Sequence, residues 1–263
     1  MRKNVGMIGG GNMGEAILAG CRNDFTFYVT EKNIQRQNDL RRRYKAKISD
    51  LALAAKNCPI LILAVKPQDF DEVLASVKAF LSADHLVISI AAGITTSYIE
   101  QRLGRGVRVI RVMPNLPALV GRSVTAVARG RSARERDLKI ARKIFDHIGT
   151  TLVVKEKLIN AVTATSGSGP GYVYFLMEQM IAAAKKIGLS QAMATDLVVE
   201  TFSGSVHLLK VKKESPEALR EKVTSKGGTT QAALDVFTRE KTGRIFDKAL
   251  GAARLRAQQL SRR

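Results

Sequence analysis

The sequence is poor in the residues that carry metal, redox or disulfide chemistry. Its two cysteines, Cys21 and Cys58, show no metal or redox spacing, and His85, His147 and His207 are scattered, so no disulfide framework, zinc site or haem site is expected. Long hydrophobic runs are also missing. The longest, Ile60 to Val65 and the stretch around Leu86 to Ile94, fall well short of the ~18 residues of a membrane span. The chain enters a strand-like Val5 to Ile8 at once, with no room for a charged region and a long apolar core before it. No signal peptide is expected, and the location is read as cytoplasmic. Aromatics are only 5%, and 23 acidic residues face 43 basic ones, a net charge of +20.

Such a basic excess attracts polyphosphates, but specific nucleic-acid binders concentrate charge on a reading element, often with aromatics. Here the clusters at Arg41 to Lys47, Arg129 to Lys143 and Arg254 to Arg263 lie on segments of helical periodicity, as solvated helix faces do. The chain is therefore read as a globular protein with no specific nucleic-acid partner, whose positive field suits anionic metabolites and dinucleotides.

With 263 residues, there is length for two modest domains. Up to about residue 155, short apolar runs alternate with helical patterns. Strands are expected at Val5–Ile8, Phe25–Val29, Ala46–Ile48, Ile60–Val65, Leu86–Ile90, Val107–Val112, Val124–Ala128 and Leu152–Val154. Helix starts are expected after Asp50, after Thr95 or Thr96, and at a capping box of Ser132 with Glu135. This βαβ rhythm predicts residues 1–155 as a Rossmann-type, doubly wound parallel sheet. After Lys155 the strand signals stop, and residues 156–263 read as an all-helical domain. Its helices are apolar on more than one face and rich in small residues, which predicts self-association through this domain.

Gly9-Gly10-Gly11-Asn12-Met13-Gly14 fits G-x-G-x-x-G, directly after the first strand and opening a helix. Gly9 suits a tight turn, Gly11 a close approach of pyrophosphate to backbone, and Gly14 close helix packing; the plainer alternative is a sharp strand-to-helix turn. Glu31, 22 residues beyond Gly9, suits a ribose hydroxyl and disfavours a 2′-phosphate. Lys32 and Arg36 are cations that pair with such a phosphate, so NADH and NADPH both stay open. Two further loops, Ala64-Val65-Lys66-Pro67 and Ala91-Ala92-Gly93, end later strands, where ligands of open α/β sheets collect. Lys66 suits cofactor or substrate hydroxyls, and Asn115, in Met113-Pro114-Asn115, suits a nicotinamide carboxamide. In the helical half, Ser166-Gly167-Ser168-Gly169-Pro170-Gly171 and Ser225-Lys226-Gly227-Gly228-Thr229-Thr230 present hydroxyls and free N–H groups at helix starts. That suits a small carboxylate, as against simple helix punctuation.

Taken together, Met7 to Gly14, Ala64-Val65-Lys66-Pro67, Ile90-Ala91-Ala92-Gly93, Arg111-Val112-Met113-Pro114-Asn115, Ser166 to Pro170 and Val223 to Thr230, with Ala233, Leu234 and Phe237 following, resemble the pyrroline-5-carboxylate reductase family along essentially the whole chain. One departure is Lys226, where the family usually has proline; it implies a more flexible or more cationic loop. The resemblance implies NAD(P)H-dependent reduction of L-1-pyrroline-5-carboxylate to L-proline, the last step of proline synthesis. It places the Thr230 hydroxyl against the ring nitrogen, and gives the substrate carboxylate to Ser225, Gly228 and Thr229. A threonine hydroxyl is a poor proton reservoir, so it polarises and positions while water or a pre-protonated imine supplies the proton. The resemblance also implies pairing through the C-terminal helices. A β-hydroxyacid dehydrogenase is the nearest alternative enzyme, but its G-x-x-x-K-x-x-N pattern has no counterpart, since Leu158 to Met177 hold no lysine. A Rossmann-type regulatory or nucleic-acid-binding protein without catalysis would leave the second-domain loops unexplained.

Overall fold

A computed structural model of the chain describes residues 3–104 and 106–261. Arg262 and Arg263, the end of the terminal basic cluster, lie outside them. Eight strands form one sheet: β1 (Lys3–Ile8), β2 (Phe25–Thr30), β3 (Lys47–Ile48), β4 (Ile60–Leu63), β5 (Leu86–Ser89), β6 (Arg108–Met113), β7 (Ser123–Arg129) and β8 (Gly149–Val153), in the order 3-2-1-4-5-6-7-8. Helices α1 (Asn12–Cys21), α2 (Ile34–Tyr44), α3 (Leu51–Asn57), α4 (Phe70–Lys78), α5 (Thr96–Leu103) and α6 (Glu135–Phe145) cross between strands.

Strands β4 and β5 are buried along their whole length, which is why they read as continuous apolar runs rather than as alternating ones. The pleat still sorts their side chains. Met7, Ile62, Ile88 and Ile110 pack with Ile17, Leu18, Leu40 and Phe145 on one face. Ile8, Leu61, Leu63, Val87 and Val109 pack with Phe70, Leu74, Ile99 and Leu103 on the other. Both faces are thus covered, as a doubly wound sheet requires.

The sheet is not wholly parallel, which corrects the expectation at one point. β7 pairs antiparallel with β6, with Ile110 opposite Arg129 and Met113 opposite Ala126, and β8 then runs parallel to β7. The reason is local: residues 114–122 contain only a short 3₁₀ segment, Leu116–Val120, and a parallel return needs a crossover of a dozen residues or more. Two expected caps are present: Asp50 accepts from Leu53 N at 2.7 Å and Thr95 from Tyr98 N at 3.1 Å. The third is displaced. Arg134, not Ser132, precedes α6, and its N–H donates to Asp137 Oδ2 at 2.8 Å.

The helical remainder comprises α7 (Ile159–Val162), α8 (Gly169–Lys186), α9 (Gln191–Lys212), α10 (Pro216–Lys222), α11 (Thr229–Arg239) and α12 (Thr242–Leu260). By packing, residues 1–170 and 252–263 form one compact unit, and 171–251 the other. The cause is apolar contact. Fully buried Ile159 clusters with Ala126 and Ala128 of β7, with Met113 and Val162 against them. At the far end, Ser261 Oγ donates to Asn160 Oδ1 at 3.0 Å. Taken by itself, the second unit leaves Tyr174, Phe175, Leu197, Val206, Leu208, Phe237 and Ile245 exposed, an apolar surface of the kind that marks an association face.

Candidate active site

The strand order reverses direction between β1 and β4, the switch point at which open α/β sheets bind ligands. Gly9 follows β1 there with φ +99°, and a Cβ on it would lie 2.7 Å from the Ala64 carbonyl oxygen. A Cβ on Gly14 would lie 2.6 Å from the Gly9 carbonyl oxygen. Gly11 differs, since a Cβ there would meet nothing within 4 Å. That open space lies at the start of α1, where Gly11 is the N-cap and provides no side-chain hydrogen bond. The first-turn N–H groups, those of Asn12 and Met13 among them, have no carbonyl one turn back, the arrangement in which a helix N-terminus can receive an anion. These residues fit a dinucleotide's pyrophosphate: two glycines hold the turn and the third leaves room.

Beyond β2, Glu31 lies against the same loop. Its Oε2 accepts from Gly10 N at 2.8 Å and its Oε1 from Asn33 N at 2.9 Å. Lys32 is instead exposed and paired with Glu72 at 3.1 Å. Ala64 and Val65 follow β4, half-buried beside Gly9, while Lys66 and Pro67 are exposed, with Pro67 starting a 3₁₀ turn. Ala91, Ala92 and Gly93 follow β5. Gly93 is buried with φ +78°, and a Cβ on it would lie 2.8 Å from the carbonyl oxygen of Leu260. This glycine therefore admits the end of α12, a role its sequence context does not announce.

Asn115 is nearly buried, and its amide is engaged at both ends: Oδ1 accepts from Val124 N at 3.0 Å, and Nδ2 donates to the Ser166 carbonyl at 3.2 Å and hydroxyl at 3.3 Å. The amide expected to meet a nicotinamide carboxamide thus ties two loops together. The Ser166 segment also differs from a simple helix start. Thr163–Gly167 is a π-turn, with Ser168 N donating to Thr163 O at 2.8 Å, and it runs on into α8.

In the second unit, Ser225 to Gly228 form the turn before α11. Gly228 N donates to Ser225 O at 3.0 Å, Gly227 adopts φ +72°, and Gly228 is the N-cap without a side-chain hydrogen bond. Thr229 and Thr230 occupy the first turn, so their N–H groups have no intrahelical acceptor. Among the described residues, the hydroxyls of Ser225, Thr229 and Thr230 make no hydrogen bond. Thr230 is half-buried, whereas Ser225, Lys226 and Thr229 are exposed. The turn is a cradle of backbone donors and hydroxyls for a small anion, and none of its hydroxyls caps the helix.

Two family models match the chain: pyrroline-5-carboxylate reductase dimerisation over residues 156–260, and NADP oxidoreductase, coenzyme F420-dependent, over residues 4–93. The pyrroline-5-carboxylate reductase of Mycobacterium tuberculosis is 36% identical, covering 97% of this chain and 96% of that protein. That of Synechocystis sp. is 38% identical, over the full length of both. The chain belongs to the pyrroline-5-carboxylate reductase family. Among solved structures, the reductase of Coxiella burnetii matches with a TM-score of 0.93 at 33% identity, covering 99% of each chain. The Plasmodium falciparum enzyme, solved with NADP bound, matches at 0.87 and 28% identity, covering 98% of each.

Two features of this reductase-family chain escape a reading by motif. One is an ion pair on a buried arginine: Arg111, 3% exposed within β6, lies 3.4 Å from half-buried Glu156, whose carboxylate also accepts from Thr96 N at 2.8 Å and Thr96 Oγ1 at 2.6 Å. Burial pulls the Arg111 guanidinium below its ordinary range, and Glu156 offsets part of that. An arginine inside an apolar strand was the available signal. The other is a cleft of about 1140 Å³ lined by Thr96, Glu100, Arg129, Arg131 and Glu156. None of the glycine-loop, strand-end or Ser225–Thr230 motif residues lines it. Among the described residues, no group of three or more His, Cys, Asp or Glu is arranged to hold a metal ion, and no helix is long and apolar enough to cross a membrane.

Proposed function

We propose that this protein reduces L-1-pyrroline-5-carboxylate to L-proline with NADH or NADPH as hydride donor. Family membership over nearly the whole chain carries this reading. The reduced nicotinamide supplies a hydride to the C=N carbon of the imine. Gly9 to Gly14 hold the pyrophosphate on the α1 N-terminus, Glu31 and Lys32 border the adenosine ribose, and Ala64 to Pro67 with Ala91 to Gly93 border the nicotinamide end. The N–H groups and hydroxyls of Ser225, Gly228 and Thr229 bind the substrate carboxylate. Thr230 places its hydroxyl against the ring nitrogen, donating to the neutral imine or accepting from the N–H of the iminium, and fixes the ring's orientation, which is supported by a first-turn hydroxyl left without an internal partner. One proton from solvent, or already carried by the iminium, completes the amine, so no strong acid–base pair is needed.

The working form is a cytoplasmic homo-oligomer, at least a dimer, joined through the helical unit, in line with the dimerisation match and the exposed apolar residues of α8, α9 and α11. The test is imine-dependent oxidation of NADH or NADPH, read by nicotinamide absorbance, with light scattering at the assay concentration. Oxidation dependent on the imine is expected, in a species larger than one chain. Failure with both dinucleotides would overturn the activity, and full activity at single-chain mass would overturn the assembly.

A further inference from the structure

Gly10 is held through both of its backbone polar groups. Its N–H donates to Glu31 Oε2 at 2.8 Å, and its carbonyl accepts from Arg36 Nε at 2.6 Å. Each holding side chain is anchored a second time. Glu31 Oε1 accepts from Asn33 N at 2.9 Å, and an Arg36 terminal nitrogen lies 2.7 Å from Glu15 Oε2. Glu15, only 13% exposed at its side chain, is itself bound by Arg43 and by the Tyr44 hydroxyl at 2.7 Å. Gly10 has no room for a side chain, because a Cβ would lie 2.5 Å from Leu40 Cδ1 and 3.2 Å from Glu31 Oε2.

We propose that this clasp makes the site select NADH over NADPH, with Glu31 excluding the 2′-phosphate and Arg36 acting as a positioning residue of the glycine loop rather than as a phosphate ligand. The inference rests on reading Gly9 to Gly14 as the dinucleotide loop. Glu31 follows β2 directly, where the adenosine ribose sits in folds of this kind. Its carboxylate cannot turn away without leaving the Gly10 and Asn33 N–H groups unpaired, so an incoming phosphate meets a fixed like charge. A ribose diol instead donates to the lone pairs that the two N–H groups leave over.

The nearby cations do not offset that charge. Arg36 is committed to Gly10 through Nε, and its charge is faced by Glu15. Its donors therefore serve the loop, and releasing them for a phosphate would undo the geometry that holds the pyrophosphate. Lys32 is the more exposed of the two, at 81%, and is paired with exposed Glu72. A flexible, hydrated ammonium gains little at such an exposed position.

The test is direct measurement of dissociation constants for NADH and NADPH by titration calorimetry on the full-length protein in its native assembly, with the melting temperature of each variant as a control. The wild type is expected to bind NADH at least about tenfold more tightly than NADPH. Glu31→Gln keeps one acceptor and removes the charge, and should shrink that ratio several-fold by tightening NADPH. Arg36→Ala should weaken the two dinucleotides by the same factor, and Arg36→Lys, whose ammonium lacks the fixed guanidinium fork, should restore both only in part and equally. Loss of NADPH alone in Arg36→Ala, with rescue in Arg36→Lys, would identify a phosphate ligand and overturn the proposal. Equal or tighter NADPH binding by the wild type would overturn it too. Absence of binding by both dinucleotides would instead refute the loop assignment itself.

Discussion

Asn115 and Ser166, 51 positions apart, are joined through the asparagine amide, whose nitrogen reaches both the serine carbonyl and its hydroxyl. The same amide's oxygen accepts from Val124 N at the start of β7. One side chain thus holds the return from β6 to β7 against the π-turn before α8.

Replacing Asn115 by alanine should therefore act on stability. It leaves Val124 N and the Ser166 groups without their partner, at a cost of about 1–3 kcal/mol. A lowered melting temperature with dinucleotide affinity nearly unchanged is the expected result. Selective loss of nicotinamide nucleotide at an unchanged melting temperature would return Asn115 to the cofactor site.

The three fingerprint glycines should respond differently to alanine. Gly9→Ala strains a left-handed backbone and meets the Ala64 carbonyl, and Gly14→Ala meets the Gly9 carbonyl, so both should destabilise the fold, Gly9→Ala by on the order of 1–3 kcal/mol from backbone strain alone. Gly11→Ala meets open space. It should melt like the wild type and yet bind dinucleotide poorly, because its methyl would enter the space proposed for the pyrophosphate. Thermal melts paired with titration calorimetry separate the two behaviours.

For Thr230→Ala, turnover should fall roughly tenfold to a hundredfold, the equivalent of one oriented hydrogen bond in the transition state. The melting temperature should hold, since Gly228 and not Thr230 is the helix N-cap. Thr230→Ser should recover much of the rate. Wild-type turnover in the alanine variant would remove Thr230 from the reaction.

Burial pushes the thiols of both Cys21 and Cys58 up to about 12, and neither side chain is more than 1% exposed. At pH 8 both should be thiol, not thiolate, and closed to reagent. Native protein should release no chromophore from a disulfide reagent within minutes, and denatured protein should titrate both cysteines. Rapid labelling of the folded protein would contradict the burial.

The βαβ order, the glycine fingerprint with Glu31 downstream, the helical second half and the Ser225–Thr230 signature were all legible in the sequence by itself. Each depends on short-range pattern: apolar periodicity, glycine at fixed offsets, hydroxyls at a helix start. Tertiary structure alone decided the rest. The reversal of β7 follows from what a short 114–122 connection can span, and the packing boundary at residue 170 from Ile159 finding Ala126 and Ala128. The partners of Glu31, Arg36 and Asn115 were hidden for a related reason. A side chain's chemistry is written at its own position, but a hydrogen bond joins it to groups as distant as Ser166 is from Asn115, and only the folded chain brings those groups together.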